Sequence, residues 1–288
     1  MEKRNVLVLG ATGNQGGAVV QALLRDGHHV TGVTRNVASP KSQQLIIQGV
    51  QMIAADFLDK DALSALMKDV HTVFAMTTPG WEGDVASEIL QGTNMVEAAK
   101  KANVPHFIYT SVSDANQDTG IPHFDSKYEI EKQLVASGIN YTIVAPTYFM
   151  DNIFQPYVFD AVKKEGVLKI AMPENTKLQQ ISAEDIGKFV AVVVNQREKM
   201  FGQRIDIAGD AISGNDVAEV LTMVLGKKVT YEGFSPDYLR AQSEDMANMF
   251  DWFNNTGYSA DLDSLKQYKL SSFKTWAKKQ DWSVLTSN

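Results

Sequence analysis

The 288-residue sequence contains no cysteine. Its absence excludes disulfides, thiolate metal ligands and a cysteine nucleophile together, and it fits a reducing cytosol. Long apolar runs are missing too. The longest, residues 189–194, is far below the ~18 needed to cross a bilayer, so no membrane span is expected. Charged Glu2, Lys3 and Arg4 lead into an apolar-rich stretch of only five residues, 5–9, too short for a signal-peptide core, and a cytoplasmic location is expected. Basic residues are in deficit: 27 Lys and Arg against 34 Asp and Glu give a formal net charge of -7, which repels a polyphosphate backbone and argues against direct nucleic-acid binding. The five histidines show no HExxH or other ligand spacing, and no GxSxG elbow occurs, so neither a metal site nor a serine hydrolase is expected. Repeats of 20–50 residues and low-complexity tracts are likewise absent.

What is present is ordinary globular composition, with 44% hydrophobic and 21% charged residues, enough to build a sizeable core. Short apolar runs at 6–9, 30–34, 50–54, 72–76, 107–110 and 141–144 alternate with longer helical patterns. Continuous rather than alternating apolar strands are expected when helices cover both faces of a sheet. The pattern therefore predicts an α/β, Rossmann-type doubly wound parallel sheet, joined by a further strand near 204–208. After Pro146 the rhythm loosens into a smaller α+β part. Residues 1–150 are expected to form the nucleotide-binding domain, with 178–210 returning to it, and 151–177 and 211–288 to form a cap. The segment 182–194 reads as a helix with Ile186, Phe189, Val190 and Val193 on one face, and 266–282 as a single amphipathic helix. Met and aromatic residues at 246–253 read as core, with an interaction helix as the other reading.

Between the first strand and first helix lies Gly10-Ala11-Thr12-Gly13-Asn14-Gln15-Gly16, a GxxGxxG loop at the place where a dinucleotide fold requires it. Glycines permit the tight turn and close approach to a pyrophosphate, and the helix N-terminus supplies unpaired N–H groups. About twenty residues on, where an acidic residue would hold a ribose 2′-hydroxyl, stands Arg35. A guanidinium there pairs with a 2′-phosphate, so NADP(H) is expected over NAD(H), with Lys41 adding charge; the alternative is a solvated surface arginine. Asp56 and Phe57, after the third strand, and Thr77-Thr78-Pro79, after the fourth, fall at the strand ends where such ligands bind; Asp56 reads equally well as a helix cap.

A helix opens at Pro122 and ends near Ser137-Gly138. Lys127 lies on its inward face with Phe124 and Leu134, an unusual address for an ammonium. It is a candidate to hold the nicotinamide ribose, or else forms an ion pair with Glu131 one turn on. The strand before it ends in Thr110-Ser111 at the same edge. His123, four residues before Lys127, is the second candidate catalytic residue, as a proton donor, or a packed or capping histidine.

These motifs, with Gly17, the Val33-Thr34-Arg35-Asn36 turn, His123-Phe124-Asp125-Ser126-Lys127, Pro146-Thr147-Tyr148-Phe149-Met150-Asp151-Asn152 and Ala247-Asn248-Met249-Phe250, resemble in order the NmrA-like branch of the atypical short-chain dehydrogenase/reductase superfamily. The resemblance implies NADP(H) binding with contacts from Gly10, Thr12, Gly13, Asn14, Gln15, Gly16, Arg35, Lys41, Asp56, Phe57, Thr77, Thr78, Pro79, Ser111, Lys127, Tyr148, Phe149 and Asn152. In that superfamily a proton-moving tyrosine normally precedes the lysine by four residues; His123 occupies its place, as in NmrA-like regulators that bind the dinucleotide without clear dehydrogenase chemistry. Other departures are Leu90, where relatives can carry a lysine near the cofactor, and Ala145, where an arginine is frequent. Two functions follow. One is a redox-sensing regulator with a protein partner and weak or no turnover; the other is an NADPH-dependent reductase of a small carbonyl or quinone, with Trp81, Tyr148 and Phe149 either walling a substrate slot or lying in a core.

Overall fold

Apolar, β-branched runs become strands here because helices on both faces let side chains on both sides of the central strands be buried. In the computed structural model, which describes residues 2–78 and 84–286, the strands are, in chain order, β1 (Asn5–Leu9), β2 (His29–Thr34), β3 (Gln51–Ala54), β4 (Thr72–Met76), β5 (Phe107–Thr110), β6 (Tyr141–Pro146), β7 (Tyr148–Phe149), β8 (Val167–Ile170), β9 (Lys177–Ile181), β10 (Gln203–Ile207), β11 (Asp210–Ser213) and β12 (Thr230–Gly233). Seven of them form one sheet in the order β10-β6-β5-β4-β1-β2-β3, with β1 to β6 parallel. This is the expected Rossmann-type α/β fold. The strand order runs outward from β1 through β2 and β3, then restarts on the other side at β4. The topological switch point therefore lies between β1 and β4, where ligands bind beyond the strand C-termini.

Helices α1 (Asn14–Arg25), α2 (Pro40–Ile47), α3 (Lys60–Leu66), α4 (Val85–Lys101), α5 (Pro122–Ala136), α6 (Pro156–Glu165) and α7 (Ala183–Asn195) follow in order. Leu7, Leu9, Val73, Phe107, Tyr109 and Ile143 on one sheet face pack with Leu63, Met95, Ala99, Ile130 and Leu134 of α3, α4 and α5. Each such large apolar side chain contributes about 1.5–3 kcal/mol by leaving water. Elsewhere, α1 and α7 approach closely: a Cβ on Gly187 would stand 2.4 Å from the Ala18 carbonyl oxygen. No helix among the described residues is long and apolar enough to cross a membrane.

The chain divides into two compact units: Met1–Asp118, Pro122–Ala145 and Ala183–Ile205 form the first, and Thr119–Ile121, Pro146–Ser182 and Asp206–Asn288 the second. The second has a three-stranded sheet, β11-β9-β7, and a parallel pair, β12-β8. Its core gathers Val162, Leu168, Leu221, Phe273 and Trp276. The helix Glu244–Asn255 turns Ala247, Met249, Phe250 and Phe253 inward, so this stretch is core. The single helix expected over 266–282 does not form. A 3-10 turn, Lys266–Tyr268, ends at Lys269 with φ 52°, and the Ser272 side chain caps a separate short helix, Phe273–Ala277. Two contacts break it: the Phe273 N–H is taken by the carboxylate of the distant Asp210 at 2.8 Å, and a capping serine competes with helix continuation.

His106 sits fully buried before β5, with Nε2 2.9 Å from the Thr142 hydroxyl, which itself donates to the Met200 carbonyl. The ring is therefore the Nε2–H tautomer. Burial, assisted by the charges of Arg197 and Arg4, pushes its pKa from 6.5 down to about 3. Between those values the unfolded chain binds the proton and the folded chain does not, so stability is full above pH 6.5 and falls as the solution is acidified. Unfolding followed from pH 6.5 to 5 should show a loss of about 2 kcal/mol attributable to this group, absent in His106→Gln.

Candidate functional site

β1 delivers the chain to the switch point, where Gly10 adopts φ +74°, a conformation that costs a glycine nothing. The turn is closed by Gly13 N–H to the Gly10 carbonyl at 2.9 Å and by Ala11 N–H to Val33 at 3.0 Å. α1 then starts with Gly13 as its N-cap, which brings no side-chain cap. The positive end of the helix dipole and its first N–H groups are thus presented to an external anion. Gly16 is required by contact: a Cβ there would lie 2.2 Å from the Gly10 carbonyl oxygen. Thr12 reaches the Thr34 hydroxyl at 3.1 Å and Thr110 donates to Gln15 Oε1 at 2.7 Å, tying the loop to β2 and β5. Asn14 is exposed on the first turn of α1.

Arg35 follows β2 directly and is exposed, as is Lys41 in the first turn of α2. Asp56 is exposed and accepts the Leu58 N–H at 3.0 Å; the cap of α3 is Asp59, which accepts from Ala62 at 2.9 Å. The capping role read for Asp56 thus belongs three residues later, because the chain makes one more turn before the helix begins. Phe57 packs against the sheet core, and its carbonyl is held by Asn94 of α4. Thr78 is exposed, with its carbonyl accepting from Gln91. Pro79 and Trp81 lie outside the described residues.

Lys127 carries the main surprise. Its Nζ is 2.5 Å from Oε1 of Glu88 and 3.3 Å from the Thr77 carbonyl oxygen. The lysine side chain is 14% exposed and Glu88 0%. Glu88 also accepts from the Thr77 hydroxyl at 2.9 Å and, at Oε2, from Ser126 at 2.5 Å. Since Thr77 donates to Glu88, the Tyr109 hydroxyl 3.0 Å away donates to Thr77. Burial, with help from the charges of Glu88 and Glu131, pushes that tyrosine hydroxyl well above its ordinary 10. The ion pair weighed between Lys127 and Glu131 is not made: Glu131 takes Arg204 at 2.8 Å instead. His123 is half-buried, its ring edge-to-face with Phe124 at 4.8 Å. Ser111 is 4% exposed, with its hydroxyl oxygen buried and unpaired among the described residues.

The loop, Arg35, Thr77, Ser111 and Lys127 all belong to the first unit, whereas Tyr148, Phe149 and Asn152 belong to the second. There, Tyr148 meets Phe253 edge-to-face at 6.1 Å and borders an apolar cavity of about 410 Å³ shared with Ile170, Phe234, Leu239, Met246 and Phe250. Asn152 lies in the 3-10 turn Met150–Phe154, where its carbonyl accepts from Gln155 at 3.0 Å.

The sequence matches the model of the NmrA-like family over residues 2–283. The chain belongs to the NmrA-like family. It is 28% identical to an NmrA-like family domain-containing protein of Dictyostelium discoideum, covering 98% of this chain and 99% of that one. Quinone oxidoreductase 2 of Escherichia coli (strain K12) is also 28% identical, over 80% of this chain and 78% of its own. Among solved structures, the Citrobacter sp. triphenylmethane reductase complexed with NADP(H) superposes with a TM-score of 0.81 at 23% identity, covering 95% of this chain and 99% of that one. NmrA, a negative transcriptional regulator, in complex with NADP, gives 0.79 at 20% identity, covering 97% and 95%. At such identities the likeness is one of fold.

In this NmrA-like chain, Glu88 and Tyr109 are the polar residues that reading the sequence missed. Glu88 had a signal: with Gly92, Met95 and Ala99 it falls on the buried face of α4, where a glutamate is as unusual as Lys127 is on α5. Tyr109 had none, because one aromatic residue in an apolar strand looks like core. Leu90 is half-exposed on α4 and Ala145 is fully buried at the end of β6.

Proposed function

We propose that this NmrA-like protein binds NADP(H) in its first unit and acts as a redox-sensing regulator with weak or no dehydrogenase turnover, its second unit meeting the partner. The residues fit the group. Gly10, Gly13 and Gly16 leave room for a pyrophosphate on the uncapped start of α1, Arg35 and Lys41 stand ready for a 2′-phosphate, and the Ser111 hydroxyl needs a partner. When bound, the nicotinamide supplies a hydride donor or acceptor. Two of the three donors of the Lys127 ammonium go to Glu88 and the Thr77 carbonyl, leaving one for a ribose hydroxyl.

The observation that carries the regulatory reading is this fixed ammonium. Lys127 is held by a buried carboxylate, no tyrosine stands four residues before it, and the nearby Tyr109 hydroxyl is buried and reluctant to give up its proton. Such a centre anchors a cofactor but offers no poised proton carrier. A ligand can shift a partner equilibrium only through different affinities for the two states, so a regulator must bind the partner differently when loaded.

The second reading, an NADPH-dependent reductase of a small carbonyl or quinone, is favoured by the apolar cavity bordered by Tyr148, Phe234 and Phe250, whose volume suits a small aromatic ligand. Titration calorimetry with NADP⁺, NADPH, NAD⁺ and NADH tests cofactor binding. Arg35→Ala should weaken NADP(H) about 10–100-fold, the worth of a charge-assisted phosphate contact, and leave NAD(H) within about twofold. NADPH absorbance with a quinone panel separates the readings: steady oxidation sinks the regulator, and no binding of any dinucleotide sinks both.

A further inference from the structure

The buried carboxylate of Glu88 is more than a counter-ion of convenience. Its two oxygens collect three donors from two elements: Lys127 and Ser126 on α5, and Thr77 after β4. None of these is within ten residues of Glu88 in sequence, so the arrangement is made by the packing of α4 on α5. That packing is close. One turn after Glu88, a Cβ on Gly92 would come within 2.5 Å of the Ile130 side chain, itself one turn beyond Ser126 and Lys127. The absent side chain at Gly92 is what allows α5 near enough for Lys127 to reach the carboxylate.

We propose that Glu88 is the positioning residue that aims the Lys127 ammonium at the nicotinamide-side ribose of the cofactor. This rests on the reading of Lys127 as a ribose anchor given above. A lysine carries four rotatable bonds, and an ammonium that must find its ligand each time loses that freedom on binding. Glu88 removes it beforehand: the charge is fixed in a 2.5 Å pair, the Thr77 carbonyl sets a second direction, and Ser126 prevents the carboxylate from turning. Thr77, itself anchored by Tyr109, carries this alignment to the end of β4, next to the switch point. Glu88 touches no ligand in this scheme; it acts through Lys127.

The test uses the full chain and two ligands, NADP⁺ and adenosine 2′,5′-bisphosphate, which has the 2′-phosphate half but no nicotinamide ribose. Glu88→Gln keeps the shape and removes the charge. It should weaken NADP⁺ about tenfold, the loss of one oriented charged contact, and leave the bisphosphate unchanged. In a Lys127→Met background the same substitution should have no further effect on NADP⁺, the coupling expected of two groups acting as one. Should Glu88→Gln not fold, Glu88→Asp retains the charge but withdraws it by one methylene, and the same split between ligands is expected. Loss of NADP⁺ affinity in Lys127→Met but not in the Glu88 variants overturns the positioning role and leaves the anchor reading standing. Unchanged NADP⁺ affinity in Lys127→Met overturns the anchor reading and the proposal with it. Equal weakening of both ligands marks a general structural effect and overturns the proposal alone.

Discussion

Gly16→Ala is expected to lower NADP(H) affinity about 10–100-fold, the loss of a backbone hydrogen bond to a charged group. The added Cβ would stand 2.2 Å from the Gly10 carbonyl oxygen and 2.7 Å from its carbon. Both are backbone atoms of the loop, so neither can rotate away as a side chain would. Either α1 withdraws from β1 or the Gly10 turn opens, and each outcome removes the N–H groups from the position proposed to receive a pyrophosphate. Folding should suffer less, by about 1–3 kcal/mol as for other overpacked sites, because the sheet core lies beneath the loop and is untouched. Gly17→Ala is the control: its Cβ would meet the Ala11 carbonyl at 3.5 Å, an ordinary contact, and alanine is the better helix former. Calorimetry for binding and thermal unfolding for stability distinguish the two. Full affinity in Gly16→Ala would remove this loop from the cofactor site.

Lys127→Met should cost about 3–5 kcal/mol of stability, an effect as large as losing a big core side chain. Methionine fills most of the space, yet leaves Glu88, fully buried, with two hydroxyl donors and no opposing charge. Buried pairs are asymmetric in this respect: removing one member strands the other, whereas replacing both is often neutral. The double variant Glu88→Gln/Lys127→Met should therefore recover most of the lost stability in chemical denaturation. Failure of the single variant to destabilise would mean that solvent reaches Glu88 freely, contrary to its burial.

Much of this protein was legible residue by residue. The GxxGxxG spacing after an apolar strand located the loop, because only glycines tolerate the Gly10 turn and the Gly16 contact. Helix α5 announced its start by Pro122 and its end by Gly138, and the inward face of Lys127 followed from helical periodicity alone. Local logic then failed in three places. It offered Lys127 the residue one turn away, Glu131, when the partner was Glu88, thirty-nine residues earlier. It offered Asp56 as a cap when Asp59 held the helix. It joined 266–282 into one helix, although a bond from Phe273 to the distant Asp210 and the Ser272 cap break it.

The sequence by itself determined the class of fold, the place of the glycine-rich turn before α1 and the presence of an inward lysine, since each depends on spacing within one strand, turn or helix. What only the tertiary structure decided is which charge meets which: Glu88 with Lys127, Glu131 with Arg204. Ion pairs of buried residues are settled by which helices pack side by side and how closely. That depends on the summed burial of a core spread over the whole unit and on a missing side chain at Gly92.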